Sequence, residues 1–185
     1  MKAGFVALVG RPNAGKSTLL NRLVGQKVAI VSDKPQTTRT RILGVRNGAD
    51  GQIVFIDTPG IHRPLHRLNV RMVDVAVQSI SQADVVCAVA DATEAVGGGD
   101  QYVAGMLARG SAPTVLALNK IDRVPKPALL PLIEQWSRLA RFEAIVPVSA
   151  LTGENEDVLV GGLLRLLPEG EALYPADYLT DQPER

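Results

Sequence analysis

The sequence predicts a three-layer α/β fold: a six-stranded, mostly parallel sheet with one antiparallel hairpin strand, and helices on both faces. Three observations carry that expectation. Strand-length apolar runs alternate with helix-length amphipathic stretches along most of the 185 residues, and strands separated by helices must be joined by parallel crossovers. The runs at 84–90, 113–118 and 143–148 are nearly continuous in hydrophobic residues, as strands covered on both faces are. Only the runs at 42–46 and 52–56 have a short connection, Asn47-Gly48-Ala49-Asp50-Gly51, whose composition favours a hairpin.

Taken in order, residues 3–9 are a short buried strand. Residues 18–24 place Leu19, Leu20 and Leu23 on one helical face. The stretch 32–41, Ser-Asp-Lys-Pro-Gln-Thr-Thr-Arg-Thr-Arg, is polar and aperiodic and reads as a long exposed loop, which inside a compact domain is usually functional or mobile. Helical patterns follow at about 69–82, 100–109, 127–140 and 154–167, the last ended by Pro168. Cys87 lies inside an apolar strand and reads as a small buried hydrophobe, and Trp136 as a core or half-buried packing residue. Residues 169–185 are acidic, carry Pro175 and Pro183 and show no period. The chain is therefore expected to divide into one folded domain over 1–168 and a linker tail over 169–185.

Composition narrows the class. Hydrophobic residues make up 46% and charged residues 21%, which is globular rather than disordered. No run of about 18 apolar residues and no charged-then-apolar leader occurs, so neither membrane spanning nor export is expected. A single cysteine excludes an intramolecular disulfide and suits a reducing cytoplasm. The net charge is +1, but residues 1–71 hold 12 Lys/Arg against 3 Asp/Glu, and residues 142–185 hold 2 against 9. The basic part includes the glycine-containing stretch 10–17, and it is either a solvated face or one turned towards a polyanion.

Between the first strand and first helix stands Gly10-Arg11-Pro12-Asn13-Ala14-Gly15-Lys16-Ser17. In a strand–loop–helix setting the spacing G-x-x-x-x-G-K-S has a physical purpose. Gly10 and Gly15 let the backbone wrap a phosphate, amide N–H groups around Asn13 and Ala14 form an anion nest, and the helix N-terminus adds its positive end. Lys16 reaches the β- and γ-phosphates, Ser17 is placed to ligate Mg²⁺, and Thr18 follows in the same phosphate-facing turn. The pattern is that of a P-loop NTPase.

Asp57-Thr58-Pro59-Gly60 follows the second hairpin strand. There Asp57 is placed to hold Mg²⁺, directly or through water, and the Gly60 amide to touch a γ-phosphate. Asn119-Lys120-Ile121-Asp122 follows the strand at 113–118 and chooses the base. The Asp122 oxygens match guanine N1–H and its exocyclic amine, whereas adenine would leave the carboxylate unpaired or repelled at a cost of about 1–3 kcal/mol. Lys120 can lay its stem over the base and Asn119 can tie this loop to the phosphate loop. The plainer reading of Asp122 is a helix N-cap. After the last strand, the Ala150 amide in Ser149-Ala150-Leu151 is a donor suited to guanine O6.

That order of motifs resembles the Ras-like, translation-factor class of GTPases over residues 3–167. Its wording, with Pro35-Gln36-Thr37-Thr38-Arg39, Asp57-Thr58-Pro59-Gly60-Ile61-His62 and Tyr174-Pro175-Ala176-Asp177-Tyr178-Leu179-Thr180-Asp181, resembles the bacterial Era family. The phosphate-loop wording is shared with the Der and MnmE GTPases, and a role of that type in ribosome assembly or tRNA modification is the alternative. The resemblance implies a Ras-like G domain that binds GTP and GDP with Mg²⁺. It implies Lys16, Thr38 and Gly60 in catalysis, and Ser17, Thr38 and Asp57 around the metal, with Thr37 as the alternative threonine. It implies a K⁺ ion beside Asn13. It further implies small-subunit ribosomal RNA and the small ribosomal subunit as partners, and a monomer in the cytoplasm or at the inner face of the membrane. The family reads RNA largely through a KH domain; no G-x-x-G loop follows the tail, so that module is expected to lie outside this chain. Ile61 occupies the position of the water-orienting glutamine of Ras-like enzymes, so slow turnover is expected. His62 and His66, spaced i, i+4, lack a third metal ligand nearby and read as exposed loop residues.

Overall fold

Alternate residues of the first strand point into two different cores. A computed structural model of the protein describes residues 1–11, 13–25, 42–56, 77 and 80–175. In strand β1 (Lys2–Gly10), Val6 and Leu8 join a cluster with Leu19, Leu23, Leu159 and Leu163, whereas Ala7 and Val9 join one with Ile56, Met106, Leu116 and Trp136. A strand with period-two side chains and two apolar faces must be covered on both sides. The helices do this: α1 (Lys16–Val24) and α4 (Glu156–Leu166) contribute to the first cluster, α2 (Gly98–Arg109) and α3 (Lys126–Leu139) to the second.

The remaining strands are β2 (Ile42–Gly48), β3 (Gly51–Ile56), β4 (Val85–Asp91), β5 (Thr114–Asn119) and β6 (Ala144–Pro147). The six form one sheet in the order β2-β3-β1-β4-β5-β6. Among the described strands β2 and β3 alone pair antiparallel, with a register irregularity between Ile42 and Gly44; the other strand pairs are parallel. The three-layer, six-stranded prediction holds. Because β1, β4, β5 and β6 run the same way, their following loops meet along one edge, where an open α/β sheet binds its ligands.

Leu19, Leu20 and Leu23 are buried as their spacing predicts. Helix α1 starts two residues earlier than its apolar period, because its first turn is the polar end of the phosphate loop. Most of the helix expected over 69–82 and all of the loop 32–41 lie outside the described residues; Val77 and Ile80 are helical, and Ser81 Oγ donates to the Val77 carbonyl at 2.9 Å. Cys87 is buried, and burial pushes its thiol up to about 12, which rules it out as a nucleophile near neutral pH. Trp136 is buried too, edge-on to Phe142 with ring centroids 6.3 Å apart.

The domain's hydrogen bonding continues past residue 168. The Ala3 amide donates to the Pro168 carbonyl at 3.0 Å, and the Gly170 amide to the Met1 carbonyl at 2.8 Å. Gln52, fully buried at the start of β3, grips the segment further on. Its Nε2 donates to the Tyr174 carbonyl at 2.9 Å, and its Oε1 accepts from the Leu173 and Tyr174 amides at 2.8 and 3.1 Å. A buried carboxamide needs partners for its donors and acceptor, and here the strap formed by residues 168–174 supplies most of them. Neither the acidity nor the missing period of the tail sequence hints at this attachment.

Candidate functional site

The loop after β1 turns back on itself at two left-handed residues. Asn13 has φ 68° and Gly15 φ 95°. At Gly15 a Cβ atom would sit 2.3 Å from Asn119 Nδ2, so the position excludes a side chain twice over, by backbone region and by contact. The close approach has a purpose, for Asn119 Nδ2 donates to the Ala14 carbonyl at 3.0 Å. Helix α1 then starts at Lys16, with Gly15 as its N-cap. Ser17 and Thr18 are exposed on its first turn. Amides at the head of a helix, with no acidic residue in that turn, make an anion site.

The second half of the site comes from the ends of β5 and β6. Asn119 is the last residue of β5 and is 2% exposed; its Oδ1 accepts from the Ala150 amide at 3.0 Å. One buried side chain therefore joins three loops. Lys120, with φ 71°, sends its Nζ to the Asn13 carbonyl at 2.7 Å and to Asp91 Oδ2 at 2.9 Å. Asp122 lies in the 3₁₀ turn Ile121–Arg123 and is exposed. It caps no helix: its Oδ1 accepts from Ser149 Oγ at 2.8 Å, and Ser149 Oγ accepts in turn from the Thr152 amide at 3.1 Å. The helix-cap reading of Asp122 is thus replaced by a loop-to-loop bond that fixes the carboxylate's orientation.

The Ala150 amide differs from expectation. Rather than standing open for a guanine oxygen, it donates to Asn119. Ser149 and Ala150 are buried, while Leu151 is exposed. Gly10 ends β1 beside the Lys16 side-chain stem. So Gly10, Asn13, Ala14, Gly15, Lys16, Ser17, Thr18, Asn119, Lys120, Asp122, Ser149, Ala150 and Leu151 converge on one edge of the sheet. Thr38, Asp57, Gly60, Thr37, Ile61, His62 and His66 lie outside the described residues.

Three participants escape the motif reading. Asp91 ends β4, the same kind of strand terminus as Asn119, and that shared position was the available signal. Burial pushes its carboxyl upward, but hydrogen bonds from Lys120 and Thr93, with the Lys120 charge, outweigh this and hold it below the usual carboxylate range. A group whose folded value is depressed stabilises the fold above its unfolded value and loses that contribution as the pH falls through the folded one. We expect wild type to exceed Asp91→Asn in urea midpoint at neutral pH, the gap closing as acidification protonates the Asp91 carboxyl. A gap that widened on acidification would contradict the lock. Arg11, in the phosphate loop, bonds Asp100 Oδ2 at 3.3 Å and approaches Glu94 Oε2 at 3.7 Å. With Ala14 and Asp91 these residues line a small cleft between that loop and the end of β4. The third is Arg22, in the last turn of α1, which donates to the Ala150 and Leu151 carbonyls.

Comparison with known proteins places this geometry. The model of a family described as "50S ribosome-binding GTPase" matches residues 5–120. The chain is 48% identical over 184 residues to GTPase Era of Staphylococcus haemolyticus, and 51% identical over 183 residues to GTPase Era of Geotalea daltonii. It is covered by 100% and 99% in these matches and spans 62% of each relative. Among solved structures, a variant of Aquifex aeolicus Era bound to GDP and AlF4⁻ aligns at 46% identity and a TM-score of 0.81. Era in complex with MgGDPNP and nucleotides 1506–1542 of 16S ribosomal RNA aligns at 46% identity and 0.82. Both cover 99% of this chain, which spans 63% of theirs. The chain thus accounts for a little under two thirds of the relatives it matches.

Proposed function

Since the chain belongs to the 50S ribosome-binding GTPase family, on its Era branch, we propose that it binds GTP and GDP and hydrolyses GTP slowly, as a switch acting with small-subunit ribosomal RNA. The observation that carries the nucleotide reading is the double tie between base-reading and phosphate-reading loops: Asn119 to Ala14 and Lys120 to Asn13. A ligand with a base at one end and phosphates at the other meets both halves already in register, and preorganisation of this kind reduces the ordering cost of binding.

Within the site the residues divide the work. The loop amides from Asn13 to Lys16, the α1 N-terminus and the Lys16 ammonium hold phosphate oxygens and offset charge where the bond to the γ-phosphate weakens. Asp122, oriented by Ser149, takes the guanine N1–H and amine. For Mg²⁺ the donors suit a hard cation: Ser17 offers an exposed hydroxyl on the first turn of α1, and Thr38 and Asp57 are the proposed remaining protein ligands. When bound, the metal would neutralise phosphate charge. Asn13, exposed on the left-handed bend, is the proposed side chain beside K⁺.

Support for the RNA partner is the relative solved with a 16S fragment. We propose a role in small-subunit assembly, in the cytoplasm, with weak RNA binding by these 185 residues alone. Calorimetric titration with GDP and ADP, followed by phosphate release from GTP in Na⁺ and then K⁺ buffer, tests the core of this reading. GDP should bind and ADP should not, and turnover in Na⁺ should fall well below the ~1 s⁻¹ at the slow end of ordinary enzymes. Equal binding of ADP would overturn the guanine assignment, and fast turnover in Na⁺ the slow-switch assignment.

A further inference from the structure

The loop that supports Asp122 is itself held from an unexpected direction. Arg22 stands in the last turn of α1, on the helix that begins at the phosphate loop. Its Nε donates to the Ala150 carbonyl at 2.7 Å and its Nη2 to the Leu151 carbonyl at 2.8 Å. Short bonds from a guanidinium are charge-assisted, and two from one planar fork fix direction as well as distance. Gly153 lies against the same guanidinium: a Cβ there would come within 2.8 Å of Nη1, at a residue with φ 86°. Against the same nitrogen, Glu156 in the first turn of α4 is 4.0 Å from Arg22 Nη1, and it is 3.4 Å from Arg46 Nη1, which also donates to the Leu23 carbonyl at 2.7 Å. Arg22 is thus hemmed in by Gly153 and Glu156, with its fork aimed at the loop 149–151.

From that loop two bonds lead to the base-reading residues. Ser149 Oγ orients Asp122, and the Ala150 amide orients Asn119. We propose that Arg22 is a specificity-determining positioning residue: by holding the Ala150 and Leu151 carbonyls, it keeps Ser149 where Asp122 is presented to the exocyclic amine of guanine. The proposal rests on the guanine reading above. It gives the phosphate-loop helix a role at the base end of the ligand, exerted through the carbonyls of the loop 149–151.

The test is displacement of fluorescent GDP by GDP and by IDP, which lacks the exocyclic amine, from wild type, Arg22→Ala and Arg22→Lys, with thermal melts alongside. Wild type should prefer GDP. Arg22→Ala should weaken GDP about tenfold, the scale of one charge-assisted hydrogen bond, and IDP clearly less, so the preference narrows. Arg22→Lys, which keeps the charge but not the fork, should fall between. If both nucleotides weaken equally in both variants, or neither weakens, Arg22 does not set specificity, whatever the melts show. If wild type itself fails to prefer GDP over IDP, the guanine reading fails instead, so the two failures are distinguishable. Arg22→Lys keeps the test open should the alanine variant not fold.

Discussion

Asp122→Asn is expected to exchange the nucleotide this chain prefers, with GTP weakened roughly 10- to 150-fold and xanthosine triphosphate bound better than by wild type. That range follows from losing a hydrogen bond to a charged acceptor, about 1.5–3 kcal/mol. The gain follows from geometry. Asparagine keeps one oxygen and replaces the other with an amine, which opposes guanine's own amine but matches the carbonyl that xanthine carries at that carbon. Ser149 Oγ donates to one carboxylate oxygen at 2.8 Å, and a hydroxyl already accepting from Thr152 is directed to keep donating there. The asparagine oxygen should therefore occupy the Ser149 side and present the amine to the base. Displacement of labelled GDP by each triphosphate reads the result. Unchanged GTP affinity would show that Asp122 does not meet the base.

Why the chain announced so much of this site, and not all, is a matter of sequence distance. Gly10, Gly15, Lys16 and Ser17 act within eight residues, so their spacing reflects the geometry of one loop. Asn119, Lys120 and Asp122 likewise sit on a single turn. The strands were legible because a parallel sheet covered on both faces leaves unbroken apolar runs such as that of β5 (Thr114–Asn119). What stayed hidden are contacts between residues far apart that follow no motif. Gln52 meets Tyr174 and Arg22 meets Ala150 only because the fold brings β3 to the strap and α1 to the loop after β6. Neither a glutamine in a hairpin nor an arginine on a helix carries a local mark of its partner. The Ala150 amide illustrates the reverse case: the motif led to the right loop, but the bond to Asn119 is visible only in three dimensions.

Asn119→Ala should then cost more stability than any other single change in the site. The side chain is almost wholly buried and has two partners that are buried as well, the Ala14 carbonyl and the Ala150 amide, each at 3.0 Å. Truncation leaves one acceptor and one donor without a bond, at about 1–3 kcal/mol each, and a small void. A loss of roughly 2–6 kcal/mol is a large part of the ~5–15 kcal/mol that holds a domain folded. For a chain of this size it lowers the melting temperature by about 2–4 °C per kcal/mol. Asn119→Asp separates the two bonds. It keeps an acceptor for the Ala150 amide but turns a carboxylate oxygen on the Ala14 carbonyl, where two acceptors repel. If the tie to the phosphate loop is the more costly one to lose, the aspartate variant should bind nucleotide no better than the alanine variant while keeping the loop 149–151 protected from amide exchange. Urea unfolding that showed Asn119→Ala within about 0.5 kcal/mol of wild type, the range of an ordinary surface change, would mean that the three loops are held together by something other than this side chain.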